Sequence, residues 1–289
     1  MKQIITMVAL AVLCNNSKAQ TTDSIPSKSS DTIRIGNIVI IKKGKTKSDA
    51  AITMGRKKTT RKQNANISTN WWIVDLGFSN YIDKTNYSNT GNYLINKPGS
   101  PLLGESDLKL NAGKSRNVNI WFFMQRLNLI HHYVNLKYGF GLELNNYRFK
   151  SAISYKESGA VPYTNTQTNA PFIFRDSISF TKNKLAADYL TIPLMINFNS
   201  NPSSKKKGIS MSAGVSAGYL YSQRNKQKSG QRGKDRNKGD YDLERFKFSY
   251  IAELGLGPVR FYGSYSPNSF YQRSLDIRPY TIGIRMSNW

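Results

Sequence analysis

Val134-Asn135-Leu136-Lys137-Tyr138-Gly139-Phe140-Gly141-Leu142-Glu143-Leu144 carries an apolar side chain at every even position and a polar residue or glycine at every odd one. Successive side chains of a strand point to opposite faces, so this alternation predicts a β-strand with one apolar and one polar face. Similar segments recur near Trp71 to Tyr81, Val118 to Leu129, Tyr189 to Phe198, Ile209 to Tyr221, Phe246 to Leu256, Val259 to Tyr265, and from Pro279 onward; the quoted strand itself is expected over about Tyr133 to Phe149. In the first of these, Trp72, Val74, Leu76 and Phe78 fall on one face and Asp75, Gly77 and Ser79 on the other. The consecutive aromatics Trp121-Phe122-Phe123 break the period and predict a bulge. Pro193, in mid-strand, lacks a ladder donor and predicts a bulge or a shorter strand.

The connections add orientation. Short ones, around Ile130-His131-His132, from Asn199 to Gly208 and at Gly257-Pro258, alternate with long ones. Bacterial outer-membrane barrels have this pattern, with short periplasmic turns, long external loops, both termini inside and an even strand count. The expected fold is therefore all-β: an eight-stranded antiparallel transmembrane β-barrel, an up-and-down meander, over residues 67–289, preceded by a flexible N-terminal extension. A soluble sandwich or lipocalin-like barrel has no reason to keep the alternation of loop lengths.

The mean hydropathy of −0.50 is compatible with a membrane protein of this kind. Eight strands of about ten residues, half of them facing lipid, need only about 40 apolar positions. The 12% aromatic content suits a wall with aromatic girdles at both interfaces.

Residues 1–19 read as a signal peptide, with Lys2 as the basic start, an apolar run from Ile4 to Leu13, and Ser17 and Ala19 placed for cleavage before Gln20. Leu13 is too bulky for lipoprotein processing at Cys14, the single cysteine. Residues 20–66 read as a basic, largely disordered periplasmic extension, with ten Lys or Arg between Arg34 and Lys62 against one acid, Asp49. Within it, Asp31 to Ile35 and Ile38 to Ile41 flank Gly36-Asn37, the makings of a short hairpin.

Tyr189-Leu190-Thr191-Ile192-Pro193-Leu194-Met195-Ile196-Asn197-Phe198 resembles the "YL-x-IPL" strand of the PorT-like outer-membrane β-barrel family. The following Gly208 to Tyr219 resembles that family's glycine-rich next strand, which opens into a basic loop. The resemblance covers about Ile67 to Trp289, implies a barrel in a bacterial outer membrane, and makes Pro193 a family feature. PorT itself is linked to secretion of cargo carrying C-terminal sorting signals.

No catalytic, cofactor or metal constellation emerges. His131 and His132 are the two histidines and are adjacent on a turn, so their side chains do not converge on one centre. Phosphate loops, paired metal motifs and nucleophile elbows are missing from the sequence. The inward positions carry Asp75, Glu143 and Glu253 against Lys137, Lys247, Arg260 and Arg285. An eight-stranded barrel is just filled by side chains, so these charges are expected to pair in a packed network.

The net charge of +25 has its sharpest local expression between Arg224 and Lys238. There Arg224, Lys226, Lys228, Arg232, Lys234, Arg236 and Lys238 face one acid, Asp235. As an external loop these seven are candidates to hold lipopolysaccharide phosphates; the alternative is a solvated loop with no ligand. Nucleic acid is disfavoured, because the loop lacks aromatics for base stacking.

Three functions are therefore in view. The first is a non-enzymatic structural or adaptor component of the cell envelope, in secretion or surface assembly, with envelope or secretion proteins as partners. The second is a surface protein that binds lipopolysaccharide or another polyanion. The third, a lipid-modifying barrel enzyme, requires a polar catalytic cluster that the sequence does not supply.

Overall fold

A computed structural model describes residues 32–35, 38–41, 65–202 and 208–287. The chain divides into two units between Gln63 and Asn64. In the first, Thr32–Ile35 and Ile38–Ile41 pair antiparallel, with Ile35 opposite Ile38. The expected signal peptide, Cys14, the Gly36-Asn37 turn and the rest of the basic extension up to residue 64 lie outside the described residues.

The second unit contains eight long strands: β1 (Ile67–Asp83), β2 (Arg116–Ile130), β3 (Val134–Arg148), β4 (Lys182–Asn199), β5 (Ile209–Ser229), β6 (Phe246–Leu256), β7 (Val259–Tyr265) and β8 (Ile277–Met286). Each pairs antiparallel with its neighbours in sequence, and β8 pairs with β1, so the sheet closes on itself as an up-and-down barrel. No helix among the described residues is long and apolar enough to cross a membrane. The apolar surface lies instead on the strands: Leu76, Phe78, Ile192, Leu194, Phe198, Met211, Val215, Phe248, Ile282 and Ile284 all point outward and exposed. A belt of that extent is a lipid-facing wall.

The alternation of β3 holds over its whole length, with Asn135, Lys137, Glu143 and Asn145 buried inside. Two irregularities sit where the period fails. The register of β2 against β3 slips between Trp121 and Phe123, so the expected bulge is present at Phe122 and Trp121 points inward. Opposite it, Trp72 has φ 55° and stacks edge-on against Phe122. Trp71 is exposed as well as Trp72, which corrects a strict alternation at the start of β1.

Pro193 produces neither a bulge nor an early strand end. It stays in register opposite Ser216 of β5, and the pairing of β4 with β3 skips Ile192 and Pro193 without shifting. The bulge in β4–β5 lies further out, between Asp188 and Tyr189 on β4, where Tyr221 is the extra residue of β5.

At the opposite end, His131 and His132 have φ 44° and 64°, and the N–H of Tyr133 donates to the carbonyl of Ile130 at 2.9 Å. Two left-handed residues in succession are the signature of a type I′ hairpin turn, whose twist matches that of the strands it joins. The histidines thus serve the tight β2–β3 turn.

The wall is unequal in height. A tilted strand crosses a bilayer in about 9–11 residues, which β7 and β8 do not exceed. The 18 residues of β4 and 21 of β5 continue well beyond it on the long-loop side. The strands expected at Tyr189 to Phe198 and Ile209 to Tyr221 are thus longer than their apolar stretches. Against the inner side of this extension the external loops pack as a cap rather than as solvated polar chain. Its core joins Tyr93, Leu108, Tyr155, Ile173, Tyr241, Leu243 and Tyr271 from four different loops to Tyr147, Leu185 and Tyr189 of the wall. Phe172–Arg175 organises it, pairing with Ile153–Lys156 on one side and Leu94–Ile95 on the other.

Candidate anion-binding face

The barrel interior is filled. Lys137 meets Glu253 at 2.7 Å, Arg260 meets the same carboxylate at 3.2 Å, and Arg285 bridges Glu253 and Asp75 at 2.7 Å each. Lys247 pairs with Glu143 one layer further out. Trp121 Nε1 and Asn119 Nδ2 also donate to Asp75, at 2.7 and 3.1 Å. The seven inward charges expected from the sequence are all buried, and each has an ion-pair partner; the bulge at Phe122 also turns Arg126 of β2 inward, opposite Lys137. The cavity left beside Glu143, Glu253 and Arg285 at the centre is about 30 Å³, no larger than a water or two, and a second of about 190 Å³ opens at the short-turn end against Arg126 and Arg260. Buried charges are tolerated only when paired and hydrogen-bonded, so this lumen is a packed polar core and offers no conduit.

The opposite situation holds on the outer face of the wall. Arg224 to Lys238 does not form a loop. The outer end of β5 turns back on itself, and Gly233–Lys238 pairs with Arg224 to Ser229, while the other edge of β5 pairs with Lys182 to Asp188 of β4. Period-two alternation sorts the side chains. Asn225, Gln227 and Ser229 are buried beneath, and Gln227 Nε2 donates to Ser154 Oγ at 2.8 Å while Asn183 Nδ2 donates to the carbonyl of Ile153 at 2.6 Å. Arg224, Lys226 and Lys228 point the other way.

Directly opposite residues in antiparallel strands share a face, so the register lays the bases out in rows. One row runs Arg148, Lys184, Lys226, Arg236 across four strands. A second runs Lys182, Lys228, Lys234, and in a third Arg224 stands opposite Lys238. Neighbouring strands lie about 4.8 Å apart, and alternate residues along a strand about 7 Å. Like charges at such spacing repel. The Lys184 amine is pushed down to about 8, first by partial burial and then by Lys182, Lys226, Arg148 and Arg224. Lys226 is lowered in the same way, by partial burial and then by Arg224, Arg236 and Lys182.

Of the seven candidates in the sequence, two are internally engaged. Arg224 pairs with Asp188, and Arg232, in the hairpin turn, reaches Asp176 at 2.8 Å. Lys226, Lys228, Lys234, Arg236 and Lys238 have no carboxylate partner among the described residues. Arg148, Lys182 and Lys184 belong to the same rows and escape a reading of the loop alone. The signal that finds them is the alternation Lys182-Asn183-Lys184, which continues the period of β4 past its apolar stretch.

The family model described as "Outer membrane protein beta-barrel domain" matches residues 63–270. The chain belongs to this outer-membrane β-barrel family. It is a protein of the bacterial outer membrane, which places the short turns in the periplasm and the cap and basic rows outside. No curated protein matches the chain. Among solved structures, Ail, the attachment invasion locus protein of Yersinia pestis in complex with the heparin analogue sucrose octasulfate, is 10% identical, with 75% of this chain and 98% of that one covered and a TM-score of 0.29.

Proposed function

We propose that this barrel is a non-enzymatic structural or adaptor component of the envelope, acting in secretion or surface assembly through its external cap and its periplasmic extension. The observation that carries the proposal is the lumen, whose charges are consumed by one another and whose outer mouth is covered by the aromatic cap. The PorT-like resemblance of Tyr189 to Phe198 supports a place in secretion. An enzyme of lipid modification would need its His at the external rim with a Ser or Asp, and the two histidines sit in a periplasmic turn instead. A second reading, capture of lipopolysaccharide or another polyanion, is favoured by the ordered basic hairpin at Arg224 to Lys238.

Photocrosslinking from residues 20–66 and from the cap in intact cells, combined with planar-bilayer conductance of the refolded chain, tests the first reading. Defined envelope or secretion partners and a silent bilayer are expected. Steady ion conductance through the lumen, or turnover of lipid by the purified barrel, would overturn it.

A further inference from the structure

We infer that the outward face of β3, β4, β5 and the returning strand Gly233–Lys238, centred on the row Arg148, Lys184, Lys226 and Arg236, is a site for the phosphate groups of outer-leaflet glycolipid. The inference rests on the polyanion reading and specifies its ligand. It also adds β3 and β4 residues to the site.

The first ground is continuity. Along β3 the outward positions read Leu142, Leu144, Asn146, Arg148, and along β4, Ile192, Leu190, Asp188, Ala186, Lys184. The face that touches lipid is the face that carries the bases, with no change of side in between. A soluble polyanion approaching from outside would meet the cap first, whereas a glycolipid packed against the wall meets this row.

The second ground is height. Tyr219 and Phe246 stack on the outer wall at 5.3 Å between ring centroids, and the exposed Tyr221 continues the patch outward. Aromatic girdles mark the depth of the headgroups. Arg224 and Lys226 are the next outward-facing bases beyond Tyr221. With a rise of about 3.3 Å per residue and a tilt of about 40°, the central row stands about 10–15 Å above Leu144 and Leu190, the last large apolar residues facing outward on β3 and β4. Glycolipid phosphates at the membrane surface occupy that level.

The third ground is preparation. A flexible basic loop would pay to order itself around a ligand. Here the underside amides Asn183, Asn225 and Gln227 are buried, and Asn183 and Gln227 are bonded into the cap, so the bases are held together before any anion arrives. Their mutual repulsion falls when phosphate enters between them.

The test compares Lys184→Gln/Lys226→Gln/Arg236→Gln with a control that removes the same charge from the cap, Lys97→Gln/Lys109→Gln/Lys150→Gln. The full chain is refolded, with heat-dependent gel mobility as the check on folding. Binding is measured to nanodiscs containing bis-phosphorylated lipid A, to nanodiscs containing dephosphorylated lipid A, and to soluble polyphosphate. The expected result is binding of the phosphorylated lipid that weakens about a hundredfold in the row variant and stays unchanged in the control. Equal binding of phosphorylated and dephosphorylated lipid, or equal loss in the two variants, overturns the site. Binding of polyphosphate through the row without preference for the phosphorylated lipid overturns the glycolipid assignment and leaves the polyanion reading standing. Binding of neither anion ends both.

Discussion

The lumen and the outer face of the same strands treat charge in opposite ways. Inside, Asp75, Glu143 and Glu253 meet Lys137, Lys247, Arg260 and Arg285 in a mesh of five ion pairs, with Arg126 on the same face opposite Lys137. Outside and above the belt, nine bases in three rows meet one acid, Asp188. Charge that is neutralised within the chain fills space and fixes the barrel. Charge left unpaired on a rigid surface repels its neighbours, and solvent, salt or an anionic partner eases that repulsion.

The largest test of this contrast lies in the lumen. Glu253 holds Lys137, Arg260 and Arg285 together, so Glu253→Ala leaves three buried cations around an empty centre. Removing one partner of a buried pair costs about 3–5 kcal/mol, which urea unfolding in lipid vesicles will report. A cost near zero would mean a wet, solvated lumen.

Gly141 offers a steric version of the same test. It sits opposite Trp121, and a Cβ there would fall 2.8 Å from Trp121 Cε3 and 2.7 Å from its Cα. Gly141→Leu is expected to destabilise by about 1–3 kcal/mol, because both the Ile120 carbonyl, 2.5 Å from that Cβ, and the ring that donates to Asp75 have to move. An unchanged unfolding midpoint would show that the interior has slack.

On the outer face the effect is smaller and of opposite sign. Lys184, depressed to about 8 from 10.5, holds fewer protons when folded than when unfolded between those values. Its cost is complete below the lower value and disappears as the pH rises through the window, so stability in uncharged detergent rises between about pH 8 and about pH 10. The buried cap phenols Tyr93 and Tyr155, held well above 10.0 by burial, oppose this from about pH 10, where the unfolded chain begins to release their protons. Lys184→Gln is expected to flatten the rise, and a fall in the unfolding midpoint over the same interval would contradict it.

Sequence reading succeeds on the wall up to the point where lipid stops. Within the bilayer, apolarity and strand period coincide, so Leu136, Leu142, Leu194 and Ile196 announce both the strand and its face. The same parity places Asp75, Lys137 and Glu253 inside, where they are found. Above the bilayer the strands continue with Lys182-Asn183-Lys184 and Arg224 to Ser229, which have the alternation but no apolar member to mark it. The hairpin therefore reads as a loop. The cap is less legible still, because Tyr93, Tyr155, Tyr241 and Tyr271 come from separate loops with no common period, and only the closed barrel brings them together. Three consecutive aromatics reveal the bulge at Phe122, whereas nothing in the sequence marks Tyr221 as the extra residue of β5.

Hydrogen exchange of the barrel in nanodiscs, with and without phosphorylated lipid A, sets the two charged regions side by side. Slower exchange is expected across residues 182–188 and 222–238 when the phosphorylated lipid is present, with residues 135–143 and 247–254 unchanged. Equal exchange with and without that lipid, or a change spread evenly over wall and lumen, would contradict the division between charge paired within the chain and charge held ready for the membrane surface.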